Sequence, residues 1–205
     1  MFQRFLVWIR EALNKMITTS NVKTALKIDL VVSQDMANAL QRWSNMYINR
    51  PHWFQTGMKK LNLAATVASE IARAVTIEMQ VKVTGSARAA FLQEQLEYVL
   101  PMIRIVTEYG VAKGGLVFKP YVDGDELCVD YVQADQFYPV KFDANGRMTA
   151  CVFSDQKVVG VNYYTRLEYH SMVGGKYEIV NAAFKSTSKD NLGSSTPLTS
   201  IDAWK

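Results

Sequence analysis

Residues 109–155 read YGVAKGGLVFKPYVDGDELCVDYVQADQFYPVKFDANGRMTACVFSD, and this stretch decides the fold class. A helix is expected to stop at Gly110, where a left-handed residue closes the last turn. Short strands follow, broken at Asp123-Gly124 and Asn145-Gly146, two dipeptides that favour the backbone of tight hairpins. Gly174-Gly175 is a third such signal. Strands are expected near 114–121, 125–133, 136–142, 147–154, 159–170 and 175–186. Pro120 and Pro139 belong on edges or strand ends, because proline cannot donate to a ladder.

Upstream the period changes from two to about four. Residues 2–18 read as an amphipathic helix with Phe2, Phe5, Leu6, Ile9, Leu13, Met16 and Ile17 on one stripe. That stripe needs cover, and Phe2, Phe5, Leu6, Ile9 and Leu13 are the candidate subunit-interface residues. Thr18-Thr19-Ser20-Asn21 is read as the loop that ends this helix. Ser33 is the expected N-cap of the next helix, with Asp35 in its first turn and Pro51 as its stop. Trp43, Tyr47, Trp53 and Phe54, interleaved with Arg42 and Arg50, suit either a core aromatic cluster or base stacking.

A third helix is expected from Lys59 to about Met79. Leu63, Val67, Ile71 and Val75 repeat every four residues, and Ala64, Ala68 and Ala72 beside them permit close packing. Glu70 and Arg73 are expected to pair on its surface. Val81-Lys82-Val83 reads as a short strand. Ser86 is a candidate N-cap for a fourth helix, which Pro101 should kink or divide.

The expected architecture is α+β: N-terminal helices followed by an antiparallel β-sheet meander. By segment this gives a helical arm at 1–56, a helical part at 57–110, an antiparallel β part at 111–187, and 188–205. That last segment reads as a polar linker followed by the start of a further, cut-off element. The chain is therefore expected to be a fragment.

Composition narrows the function. The 205 residues carry a net charge of +4. Residues 1–60 hold nine Lys/Arg against three Asp/Glu, and the remainder hold fourteen against sixteen. The basic end suits an acidic partner, nucleic acid, anionic lipid or simply a solvated face. No stretch reaches the roughly 20 apolar residues of a membrane span. Charges at Arg4, Arg10, Glu11 and Lys15 argue against a signal peptide. The two cysteines, Cys128 and Cys151, show no zinc or redox spacing and read as reduced thiols of an intracellular chain.

Catalytic and metal-binding patterns are not found. His52 and His170 have no metal-ligand neighbour at helical spacing. Asp123-Gly124-Asp125 and Asp143-Ala144-Asn145-Gly146 miss the calcium-loop spacing and are explained as turns. Gly110–Gly115 does not match a phosphate-binding loop and ends a helix instead of opening one. No nucleophile–base pattern is present. The expectation is a non-enzymatic chain with no catalytic, cofactor or metal site.

The order of parts carries a resemblance. After the basic amphipathic start come a helix ending WSNMYIN and the run NLAATVASEIAR. Then follow YGVAKGGLVFKPYVDGD, VDYVQADQFYP, FDANGRMTACVF, YYTRLEYH and YEIVNAAFKS. This set resembles the portal proteins of long-tailed bacteriophages and prophages of Gram-positive hosts, over about residues 2–204. The resemblance implies a wing-like α+β body within a ring, generally twelve-fold, at one capsid vertex. It further implies terminase, capsid and head-completion proteins as partners, and DNA passing through the channel. The place of action would be the virion portal vertex, reached from the host cytoplasm, with no membrane. Portals of this family continue into a clip, stem helices and crown, where most DNA-facing residues lie. The alternative reading is a membrane-surface or nucleic-acid adaptor that uses the basic amphipathic helix.

Overall fold

The computed structural model describes residues 17, 19–51, 53, 61–124 and 126–204. The expected helix over 2–18 lies outside these residues except for Ile17, and with it lie Phe2, Phe5, Leu6, Ile9 and Leu13. His52, Phe54 and Asp125 are also outside them.

The fold is α+β, with helices preceding antiparallel sheets. The helices are α1 (Thr19–Leu26), α2 (Gln34–Tyr47), α3 (Leu63–Thr76), α4 (Ala89–Val99) and α5 (Ile103–Lys113). The strands are β1 (Leu116–Asp123), β2 (Glu126–Gln133), β3 (Phe137–Phe142), β4 (Met148–Val159), β5 (Asn162–Val173), β6 (Lys176–Ser186) and β7 (Ser194–Thr196). β1 and β2 form a two-stranded sheet, and β3 to β7 form a second sheet in sequence order. Contacts divide the chain into one unit of residues 1–41 with 135–205 and another of residues 42–134. These boundaries differ from the sequence segments because they follow packing, whereas the segments follow changes of periodicity.

In the first unit the five-stranded sheet holds the core. Tyr138, Val152 and Leu167 are fully buried, as is Val22 of α1. Tyr138 Oη donates to the Ile17 carbonyl at 2.8 Å. The Val31 N–H donates to the Pro139 carbonyl at 3.0 Å, so the β3 edge is partly covered. Ala183, Ile201 and Trp204 form another buried group, with Tyr164 and Leu198 against it. Trp204 Nε1 donates to Asp155 Oδ2 at 2.9 Å. The polar stretch after Ser186 is thus not all loop: it supplies β7 and the buried Leu192.

The second unit packs α3 against α5, and the β1–β2 hairpin adjoins α4 and α5. Gln95 Oε1 accepts from the Leu127 N–H at 2.9 Å, which satisfies a donor of β2. Pro101 divides the α4–α5 run through a single 3-10 turn at Leu100–Met102.

Local signals explain most element ends. The Met36 N–H donates to Ser33 Oγ at 3.1 Å, the N-cap bond expected of Ser33. Gly174 and Gly175 both have positive φ, 56° and 80°, as a two-residue hairpin of this hand requires. Asp143 Oδ1 accepts from the N–H groups of Asn145 and Arg147 at 2.8 and 2.9 Å. That side chain therefore organises a turn.

Several expectations are corrected. Thr19-Ser20-Asn21 is not a loop but opens α1, in keeping with the preference of such residues for N-termini. α5 runs one turn past Gly110 and closes at Gly114, whose φ of 75° makes it the left-handed cap. Ser86 is not an N-cap: Arg88 holds that position, and no side chain bonds there. Val81–Val83 forms no strand. The Gln93 amide takes the place of a partner strand, accepting from the Val83 N–H at 2.9 Å and donating to the Val81 carbonyl at 3.3 Å. β4 continues past Ser154 to Val159 and turns at Gly160, φ 60°. Gln156 shows how a polar residue is held there: its Nε2 donates to Thr165 Oγ1 at 3.0 Å and to the Lys189 carbonyl at 3.1 Å.

Candidate subunit-contact surface

The sequence of α3 contains two stripes, one aliphatic and one of alanine. The structure buries the alanines. Ala68 and Ala72 are 2% and 0% exposed, while Leu63, Val67, Ile71 and Val75 are 60%, 48%, 44% and 64% exposed. Alanine lets two helix axes approach closely, so α5 meets that side. The aliphatic stripe is left facing water over the length of the helix. Scattered apolar residues on a surface are ordinary, but a contiguous row is a mark of an interaction site. The expected Glu70–Arg73 pair flanks it, with Arg73 Nε donating to Glu70 Oε2 at 2.9 Å.

The N-terminal end of the stripe opens into a cleft of about 440 Å³ within the same unit. Trp43, Met46, Pro51, Leu61, Val67 and Val111 contribute to its walls. The aromatic group seen in the sequence divides here. Tyr47 packs edge-on against Tyr109 at 5.9 Å, and its hydroxyl donates to Glu108 Oε1 at 2.7 Å. The Trp43 ring lies over Gly114, 3.1 Å from where a Cβ would stand. Trp53 is 56% exposed.

A second constellation was not read from the sequence. Cys151 and His170 are register partners across β4 and β5. His170 Nδ1 is hydrogen-bonded with the Tyr177 hydroxyl, and His170 Nε2 lies 3.5 Å from Glu168 Oε1. Phe153 meets the His170 ring edge-on at 4.9 Å. Burial, then Cys151 and Glu168, push the Tyr177 phenol above its usual range. Arg166 reaches Glu168 at 3.4 Å and lies over the Trp204 ring at 5.7 Å. The signal that places Tyr177 beside His170 was present: Gly174-Gly175 as a two-residue loop fixes the register in which Met172 faces Tyr177.

This cluster has residue types a nucleophile–base pair would need, but His170 is only 5% exposed. Its groups bond one another, and the apolar cleft described above is lined by other residues. Among the described residues, no group of three or more His, Cys, Asp or Glu is placed to hold a metal ion. Neither Cys128 nor Cys151 is joined in a disulfide. No helix among the described residues is long and apolar enough to cross a membrane.

Comparisons find no matching family model, no matching curated protein and no matching solved structure. What remains for function is the surface itself. One feature of it is an apolar row on a helix, next to a cleft that can take bulky side chains.

Proposed function

We propose that this chain is a non-catalytic structural subunit of a bacteriophage portal ring. The observation that supports this best is on α3. The helix that carries the portal-like run NLAATVASEIAR turns its aliphatic stripe to solvent. A subunit of a ring needs such surfaces, because each copy meets its neighbours through two different patches. In this role the chain is a rigid part of the vertex through which DNA is packaged and ejected. Terminase, capsid and head-completion proteins dock on the assembled ring. Its place is the virion, after assembly in the host cytoplasm, and it needs no cofactor and no membrane.

The second reading is a nucleic-acid adaptor. It is favoured by the exposed Trp43 and Trp53 near Arg42 and Arg50. Electron microscopy of the purified gene product at its full encoded length separates the two. Closed rings with a central channel are expected. Monomers that bind single-stranded oligonucleotides, and yield no rings with capsid or scaffolding proteins present, overturn the portal reading.

A further inference from the structure

We propose that the α3 stripe is the seat for the N-terminal amphipathic segment, residues 2–13, of a neighbouring copy. The inference deepens the portal reading and rests on it for the partner, a second copy of this chain.

Three features favour this occupant. Period comes first. Leu63, Val67, Ile71 and Val75 follow one another at four residues, and Phe2, Phe5, Leu6, Ile9 and Leu13 at three and four. Both rows suit helices that lie side by side. Length is the second feature. α3 has 14 residues, which is about 21 Å at 1.5 Å per residue. Phe2 to Leu13 spans roughly 17 Å as a helix. The cleft beside Leu63 provides room for the large side chains that row contains, such as Phe2 or Phe5.

Charge is the third. Residues 2–17 carry Arg4, Arg10 and Lys15 against Glu11. Projected as a helix, Arg10 borders the apolar row of that segment. Glu70, the acidic residue of α3, borders its row and already holds Arg73 through Oε2, so Arg10 of the neighbour would share that carboxylate. Opposite charges at the borders favour one seating of the two rows over others.

Ile17, which ends the amphipathic segment, is 3% exposed, and its carbonyl accepts from Tyr138. The root of the segment is therefore fixed on the five-stranded sheet, while its apolar row precedes that anchor. One patch, the row of residues 2–13, then meets a different patch, the α3 stripe. That is the heterologous contact from which a ring is built.

The test uses two cysteine variants of the full chain in a Cys128→Ser, Cys151→Ser background. One copy carries Ile9→Cys and the other Val67→Cys. Mixed under mild oxidation, they should give a disulfide-linked heterodimer about tenfold above a control that pairs Ile9→Cys with Glu126→Cys. No excess over the control overturns the proposal. A link that forms at every dilution when both cysteines are in one chain also overturns it, because the segment would then sit on its own α3. Should the serine background not fold, Val67→Glu in the otherwise unaltered chain takes its place. It should weaken self-association about tenfold or more with an unchanged circular dichroism spectrum. Unchanged association would contradict the proposal. A positive cross-link without rings keeps this contact and removes the portal reading. Rings without the cross-link do the reverse.

Discussion

The Tyr138 hydroxyl donates a 2.8 Å hydrogen bond to the carbonyl of Ile17, 121 residues away in sequence. The tyrosine is fully buried in β3, and its only polar atom is used to tie the N-terminal segment to the sheet. Tyr138→Phe keeps the ring and leaves the Ile17 carbonyl without that donor. Destabilisation by about 1–3 kcal/mol is expected, measured by urea unfolding.

The same phenol gives a pH dependence. Burial pushes the Tyr138 proton affinity far above the usual tyrosine range. A group whose folded-state pKa is raised contributes stability that is intact below the unfolded value, about 10, and is lost as pH rises beyond it. Unfolding free energy should therefore fall above about pH 10. Tyr121, Tyr131 and Tyr177 are shifted in the same direction and add to the fall. The slope in Tyr138→Phe should be shallower than in the parent, and equal slopes would show that Tyr138 is not the main contributor.

The two stripes of α3 should respond oppositely to substitution. Ala72→Leu forces a larger side chain into the closed side and should cost about 1–3 kcal/mol. Val75→Ser changes a residue that is 64% exposed and should alter monomer stability by less than about 0.5 kcal/mol. Val75→Ser should nevertheless weaken self-association. Thermal melts and sedimentation, run on both variants, check the contrast.

Gly193 has a φ of 72°, and a Cβ there would stand 2.2 Å from the Lys185 carbonyl oxygen. Neither the backbone angle nor the space suits alanine. Gly193→Ala should detach β7 from β6, read as lost hydrogen-exchange protection at 183–185 and 194–196. Retained protection would mean that the chain reroutes cheaply.

The fold class was legible because its signals are local. The Ser33 cap, the Pro101 break and the Gly174-Gly175 turn each act within a few residues. Gly160 escaped notice because β4 turns polar before it. Asp155, Gln156 and Lys157 resemble a loop until Thr165, Lys189 and Trp204 are seen to satisfy or face them. The orientation of α3 was not legible either. Its sequence offers two apolar stripes, and which is buried depends on α5, a tertiary partner. Hydrophobicity alone favours the aliphatic row, yet the close approach of α5 selects the alanines. Cys151, His170 and Tyr177 come together through strand register: the Gly174-Gly175 loop sets Tyr177 beside His170, whereas the longer β4–β5 pairing that adds Cys151 depends on the turn at Gly160.

Light scattering of the gene product at its full encoded length, across a range of concentrations, tests the portal reading most directly. A subunit with a heterologous, closing contact should reach one fixed ring mass that does not grow on further concentration. A mass that remains monomeric at micromolar concentration, or one that climbs without limit as an open filament would, contradicts it.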